Sequence, residues 1–139
     1  MVQLIIGNKG KGKTKHLLDK VNTDIKNISG NIVYLDKSTR HMYDLNNKVR
    51  LIDVSRFMIE DSKEFVGFVS GIVSQDHDLE QMYFDSFLTL ANAGISEIEP
   101  IVTKLEKISQ TFGVDFILSV SADKDEVPES IKDKILIAL

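Results

Sequence analysis

The sequence predicts an α/β fold, a five-stranded and mainly parallel sheet flanked by helices in three layers. Three observations predict it. Short β-branched runs alternate with amphipathic stretches, the pattern that joins parallel strands through crossover helices. The strand candidates are apolar along most of their length, as strands buried on both faces are. A chain of 139 residues, 42% of them hydrophobic, buries one core and not two, so residues 1–139 are expected to form one domain.

Residues 2–6, "VQLII", read as the first strand. The next segment sets Leu17, Leu18, Val21, Ile25 and Ile28 on one helical face, and Ser29-Gly30 stops it. Residues 32–35 read as the second strand and residues 49–54 as the third, separated by "DKSTRHMYDLNNK", a polar connection with room for one short helix or a small lid. Residues 55–74 carry Phe57, Met58, Phe65, Phe68, Val69 and Ile72 at helical spacing, with Gly67 and Gly71 one turn apart for close packing. Residues 80–84 are the fourth strand. Ser96 and Glu99 form a capping box around a first turn that also holds Pro100, and Ile101, Val102, Leu105, Ile108 and Phe112 give that helix its apolar face until Gly113 ends it. Residues 116–120 are the fifth strand, and a last helix is expected from about Pro128.

Composition excludes several classes of function. A net charge of -4 and a pI near 5.3 argue against a general nucleic-acid binder, which carries a basic face. Arginine supplies three of the seventeen basic residues, Arg40, Arg50 and Arg56, so bidentate clamps on phosphates are scarce. The chain has no cysteine, which removes disulfides, thiolate metal sites and a Cys nucleophile together. No apolar run approaches a membrane span, and a cytoplasmic location is expected.

One stretch carries chemistry. Gly7, Asn8, Lys9, Gly10, Lys11, Gly12, Lys13 and Thr14 match GxxxxGK(S/T) between a strand and a helix, the context that pattern requires. Its glycines let the backbone wrap a triphosphate with N–H groups turned inward, and the helix start adds its positive dipole end. Lys13 would reach the β and γ phosphates, and the Thr14 hydroxyl would complete the shell of a Mg2+ ion.

At these residues the chain resembles the P-loop NTPases, and the resemblance implies a three-layer fold and a second motif, an aspartate that ends an apolar strand and holds Mg2+ through water. Asp36, Asp53 and Asp85 each end one. "MYFDSFLTLA" is similar to the second motif of the RecA-like division and favours Asp85, with Asp53 as the alternative. "FILSVSAD" resembles the strand that carries a polar sensor of the γ-phosphate, a part open to Ser119 or Ser121. Where such proteins place a water-orienting glutamate, this chain offers Ser86 and, on a neighbouring strand, Asp36. No arginine finger is identifiable. The DxxG and NKxD motifs of GTPases are missing, and Asn8 stands where partitioning-type ATPases put a signature lysine. A nucleotide kinase needs more arginines and a lid. The chain also resembles short ATP-binding proteins of Gram-positive bacteria, some labelled as twitching-motility ATPases.

The resemblance implies ATP and Mg2+ as ligands, with Lys13, Asp85 and Asp36 as catalytic candidates. Two functions stay open: an ATPase, slow or completed by a protein partner or a second copy of the chain, and a nucleotide-binding switch or adaptor. Among lesser features, "DHD" at residues 76–78 reads as a loop before a metal site, and His16 as a surface or packing residue. Lys9 and Lys11 either add charge around the phosphates or point into water. His41 and Tyr43 either stack on a base or cover a sheet edge.

Overall fold

In the computed structural model, which describes residues 1–139, the chain runs β1 (Val2–Ile6), α1 (Lys13–Asp24), β2 (Asn31–Asp36), β3 (Arg50–Asp53), α2 (Ser62–Ser74), β4 (Leu79–Phe84), α3 (Phe87–Ala91), α4 (Ile98–Phe112), β5 (Asp115–Val120) and β6 (Ile135–Ala138). The strands form one sheet in the order β3-β2-β4-β5-β1-β6, and every neighbouring pair is parallel. The carboxyl ends of all strands therefore open on one edge, where ligands of such sheets bind. After β1 the chain crosses to β2 and β3, returns through β4, and lays β5 between β4 and β1. No helix is long and apolar enough to cross a membrane.

Alternate residues of each strand feed opposite layers. Leu4 and Ile6 join a cluster of 26 buried residues under α2, α3 and α4, while Ile5 joins one of nine under α1. At the centre of the larger cluster Phe84 meets Phe65, Phe87 and Phe116 edge to face, each with centroids 5.8 Å apart. α1 is too narrow to cover the opposite face alone, and Val49 and Leu45 from the connection after β2 complete that layer.

The structure corrects the sequence reading at several points. There are six strands, not five. The last helix expected from Pro128 is a 3-10 turn at Glu129–Lys134, after which Ile135–Ala138 pairs with β1. A run of four apolar residues is too short to gain from helix formation, and as a strand it satisfies the open edge of β1. Residues 55–61 are not α-helical: a 3-10 turn at Val54–Arg56 is followed by irregular chain. Asp61 then accepts a bond from the Glu64 N–H at 2.9 Å, and Glu64 Oε1 accepts one from the Glu60 N–H at 2.7 Å, so α2 starts at Ser62. Phe57 still packs against Phe68, with tilted rings and centroids 5.3 Å apart, but Met58 is exposed.

Smaller differences have the same kind of cause. α1 ends at Asp24 because the next bonds, Lys26 N–H to Thr23 O and Asn27 N–H to Asp24 O, tighten to a three-residue spacing; Ile28 packs on the smaller cluster from beyond the helix. The connection 37–49 forms turns and no helix. The box before α4 closes between Gly94 and Glu97 instead of Ser96 and Glu99. Phe112, at the last position of α4, is exposed, whereas Gly113 ends that helix at φ 69° as expected.

Candidate functional site

Gly7 to Gly12 leave β1 at the carboxyl edge, and two backbone ties fix the root of the turn. The Gly7 N–H donates to Val120 O at 3.3 Å, and the Lys11 N–H to Asn8 O at 3.2 Å. The Asn8 side chain reaches across to Asp123 Oδ1 at 2.8 Å. Gly10 and Gly12 have φ of 87° and 93°, a left-handed conformation that glycine adopts freely. A Cβ on Gly12 would meet nothing within 4 Å, so the backbone angle, not crowding, demands glycine there. Gly12 is also the N-cap of α1, and neither a capping side chain nor an acidic residue occupies that first turn. The turn thus keeps its backbone donors and its dipole end available to an anion.

Lys13 is the charged centre of this turn. Its side chain is mostly buried, and its Nζ donates to Asn8 O at 3.3 Å. Burial pulls the ammonium below its ordinary pKa, and the charge of Asp85 partly opposes that. Buried cations are normally paired with an anion in contact; this one holds a single carbonyl.

Asp85 follows β4 and is the hub of the site. It is 3% exposed and has three donors. The Thr14 hydroxyl reaches Oδ1 at 3.1 Å, the Ser119 hydroxyl reaches Oδ1 at 3.3 Å, and the Tyr34 phenol reaches Oδ2 at 2.9 Å. Ser86, next in the chain, takes φ 59°, a costly conformation for a residue with a side chain. The Ser119 hydroxyl oxygen accepts its N–H at 2.7 Å and holds the bend. Thr14 and Asp85 together present two oxygens across the mouth of the turn, a donor set that suits a hard cation such as Mg2+.

Around these groups lies a cavity of about 560 Å³. Lys9, Gly10, Gly12, Lys13, Thr14, Asp85 and Ser121 all line it, so the structure brings most of the sequence candidates together. Gly7, Asn8 and Lys11 support the turn from outside the cavity wall. Of the two serines, Ser121 faces the cavity while Ser119 is buried against Asp85. Asp53 is elsewhere: it caps the turn after β3 by accepting the Ser55 N–H at 3.1 Å. Lys37 and Arg40, whose course the sequence left open, also line the cavity. Asp85 is the one carboxylate in its wall.

Asp36 adjoins Asp85, does not line the cavity and is 2% exposed. Its Oδ1 accepts the Lys37 N–H at 2.7 Å, and its Oδ2 is buried with no partner. Burial pushes its pKa above the ordinary aspartate value, and the charge of Asp85 adds to that against the opposing effects of the Lys37 N–H, His41 and Lys37. Tyr34 is the residue that sequence reading missed; inside an apolar strand nothing distinguishes it from core. Tyr43 is exposed, and His41 Nδ1 meets Asp44 Oδ2 at 3.1 Å. Asp76 is tied to Asn31 and Arg50, the bonding of a structural loop.

A parallel α/β sheet with a glycine-rich turn after β1 and an aspartate after β4 defines a RecA-like fold. The flagellar accessory protein FlaH from Methanocaldococcus jannaschii shares it, with a TM-score of 0.58 and 17% sequence identity over 94% of this chain. The chain spans 64% of that protein's length, and at this identity the likeness is one of fold alone. No protein-family model matches the sequence, and no curated protein does.

Proposed function

We propose that this chain binds ATP with Mg2+ at the turn from Gly7 to Thr14 and hydrolyses it slowly, or at a useful rate only once a protein partner or a second copy supplies further groups. The observation that carries the reading is the mostly buried side chain of Lys13, held in the cavity wall at a left-handed glycine turn beside a helix N-terminus with one carbonyl partner and no anion in contact. A β or γ phosphate is the anion that such a place fits. Thr14 would ligate Mg2+ directly, and Asp85 would hold it through water. Lys9, Lys37 and Arg40 add positive charge around the cavity.

Slow turnover is supported by the cavity wall. Hydrolysis needs a group that orients the attacking water, and the wall's single carboxylate, Asp85, is committed to Thr14, Ser119 and Tyr34. Asp36, the other candidate, does not line the cavity. The same observation favours a second reading, a switch in which bound ATP stabilises one surface and hydrolysis is incidental.

Thermal shifts with ATP, ADP, GTP and a non-hydrolysable ATP analogue, each with and without Mg2+, test the proposal on wild type and Lys13→Ala. Ligand at about 100 times its Kd stabilises by roughly 2.7 kcal/mol, a rise of several degrees at this length. A Mg2+-dependent ATP shift that Lys13→Ala loses is expected. A shift of equal size in the variant, or none with any nucleotide, overturns the proposal. Turnover that rises with protein concentration would separate the ATPase from the switch.

A further inference from the structure

Beside the phosphate turn, the structure adds to Asp85, which the turn uses, two donors that the turn does not use. One carboxylate oxygen of Asp36, one of Asp85 and one ring nitrogen of His41 all lie within 4.8 Å of one another. Both aspartates are almost fully buried, and Asp36 Oδ2 has no hydrogen-bond partner. Two buried carboxylates at this separation repel, and an unpartnered buried oxygen is costly. Lys37 gives Asp36 its backbone N–H and also lines the neighbouring cavity.

A cation between the three donors would satisfy all of these groups. Three ligands around one ion at about 2.1 Å each stand about 3.4–3.6 Å apart, so closing the set draws the donors together by on the order of 1 Å through side-chain rotation. Asp44 Oδ2 meets the imidazole at Nδ1, at 3.1 Å, so an ion would take Nε2. A carboxylate behind the ring is the outer support that metal-binding histidines usually have.

We infer that Asp36, His41 and Asp85 form a binding site for a divalent transition-metal ion, with Asp44 as the outer partner of His41. An imidazole with two carboxylates suits Mn2+ or Zn2+ better than Mg2+, which prefers oxygen ligands and water. The site adjoins the place at Thr14 through the shared Asp85 but needs neither phosphate nor nucleotide.

Mn2+ titrated into nucleotide-free protein, read by loss of the free-ion EPR signal, tests the site apart from ATP binding. Wild type is expected to take up one ion. His41→Ala should weaken binding at least tenfold, and Asp44→Asn by about 10–100-fold. Both changes fall on the surface connection, where the Asp44 side chain is 60% exposed, and circular dichroism would verify the fold. Lys13→Ala should bind Mn2+ no more weakly than wild type, even if it proves that the turn binds no ATP. No uptake by wild type, or equal affinity in His41→Ala, overturns the inference; equal affinity would place the ion at Thr14 instead.

Discussion

Tyr34→Phe removes one hydroxyl from the buried network and nothing else. The ring is fully buried and stacks on Tyr83 with centroids 6.2 Å apart and planes within 14°; phenylalanine keeps that packing and leaves no cavity of note. What is lost is the bond to Asp85 Oδ2 at 2.9 Å. The donors from Thr14 and Ser119 both sit on Oδ1, so no neighbour takes over at Oδ2. A hydrogen bond to a charged group contributes about 1.5–3 kcal/mol. With roughly 3–4 °C per kcal/mol for a chain of this length, the melting temperature should drop by about 5–10 °C. Burial, and then the negative charge and hydrogen bonding of Asp85, push the phenol's pKa far above its ordinary value, so it remains a donor at any working pH and the loss should be equal at pH 6 and pH 9. Urea unfolding at both pH values checks this, with an unchanged m-value showing that the unfolded state is the same. A loss below about 0.5 kcal/mol, the scatter of ordinary surface changes, would refute the claim that Tyr34 holds Asp85.

The two candidate second-motif aspartates should separate cleanly. Asp85→Asn is expected to weaken Mg2+-dependent nucleotide binding at least tenfold by calorimetry, while Asp53→Asn, far from the turn and bonded to Ser55, should leave it unchanged. Gly12→Ala forces a side chain to φ 93° and should cost about 1–2 kcal/mol of stability, seen as a lower urea midpoint. Glu106 joins α4 to the start of β1, accepting the Val2 N–H at 2.9 Å and the Lys134 ammonium at 3.2 Å on one oxygen. Burial disfavours its charge, yet Lys134, the Val2 N–H and the N-terminal ammonium outweigh that and hold its pKa below the ordinary value. The folded chain thus binds this proton more weakly than the unfolded one. Its contribution is complete above the unfolded glutamate value near pH 4.3 and fades as pH falls through and below it. Glu106→Gln should flatten the acid limb of the stability curve below about pH 5, which urea midpoints from pH 3 to pH 7 would show.

The legible parts of this molecule are those written in local pattern. The β1 turn and α1 announce themselves because glycine spacing and the lysine that follows are consecutive in the chain. The central strands read correctly because a strand buried on both faces is apolar along most of its length. β6 was missed because its reason for existing is non-local: Ile135–Ala138 becomes a strand only where β1 offers an unpaired edge. The same holds within the site. Tyr34 lies 51 residues from Asp85 in sequence and nothing separates it from core, while Ser119 lies 34 residues away and reads from its strand as a candidate phosphate sensor, not as a partner of Asp85. His41 and Asp36 were visible as candidates, but their meeting depends on how the turns after β2 fold back.

The interposed strand explains why Asp85 can serve as a hub. With β5 between β1 and β4, the aspartate stands one strand away from the phosphate turn, and a polar side chain at the intervening position on β5 can hold it. Ser119 fills it, donating to Asp85 Oδ1 and accepting from the Ser86 N–H. That second bond keeps Ser86 in its left-handed bend, which turns the chain into α3 and leaves the carboxylate facing Thr14. The cost of the bend is therefore met by the strand that separates the two motifs. Reordered strands would lose the bridge and the orientation together, so the position of Asp85 depends on sheet order as much as on the "YFDS" sequence around it.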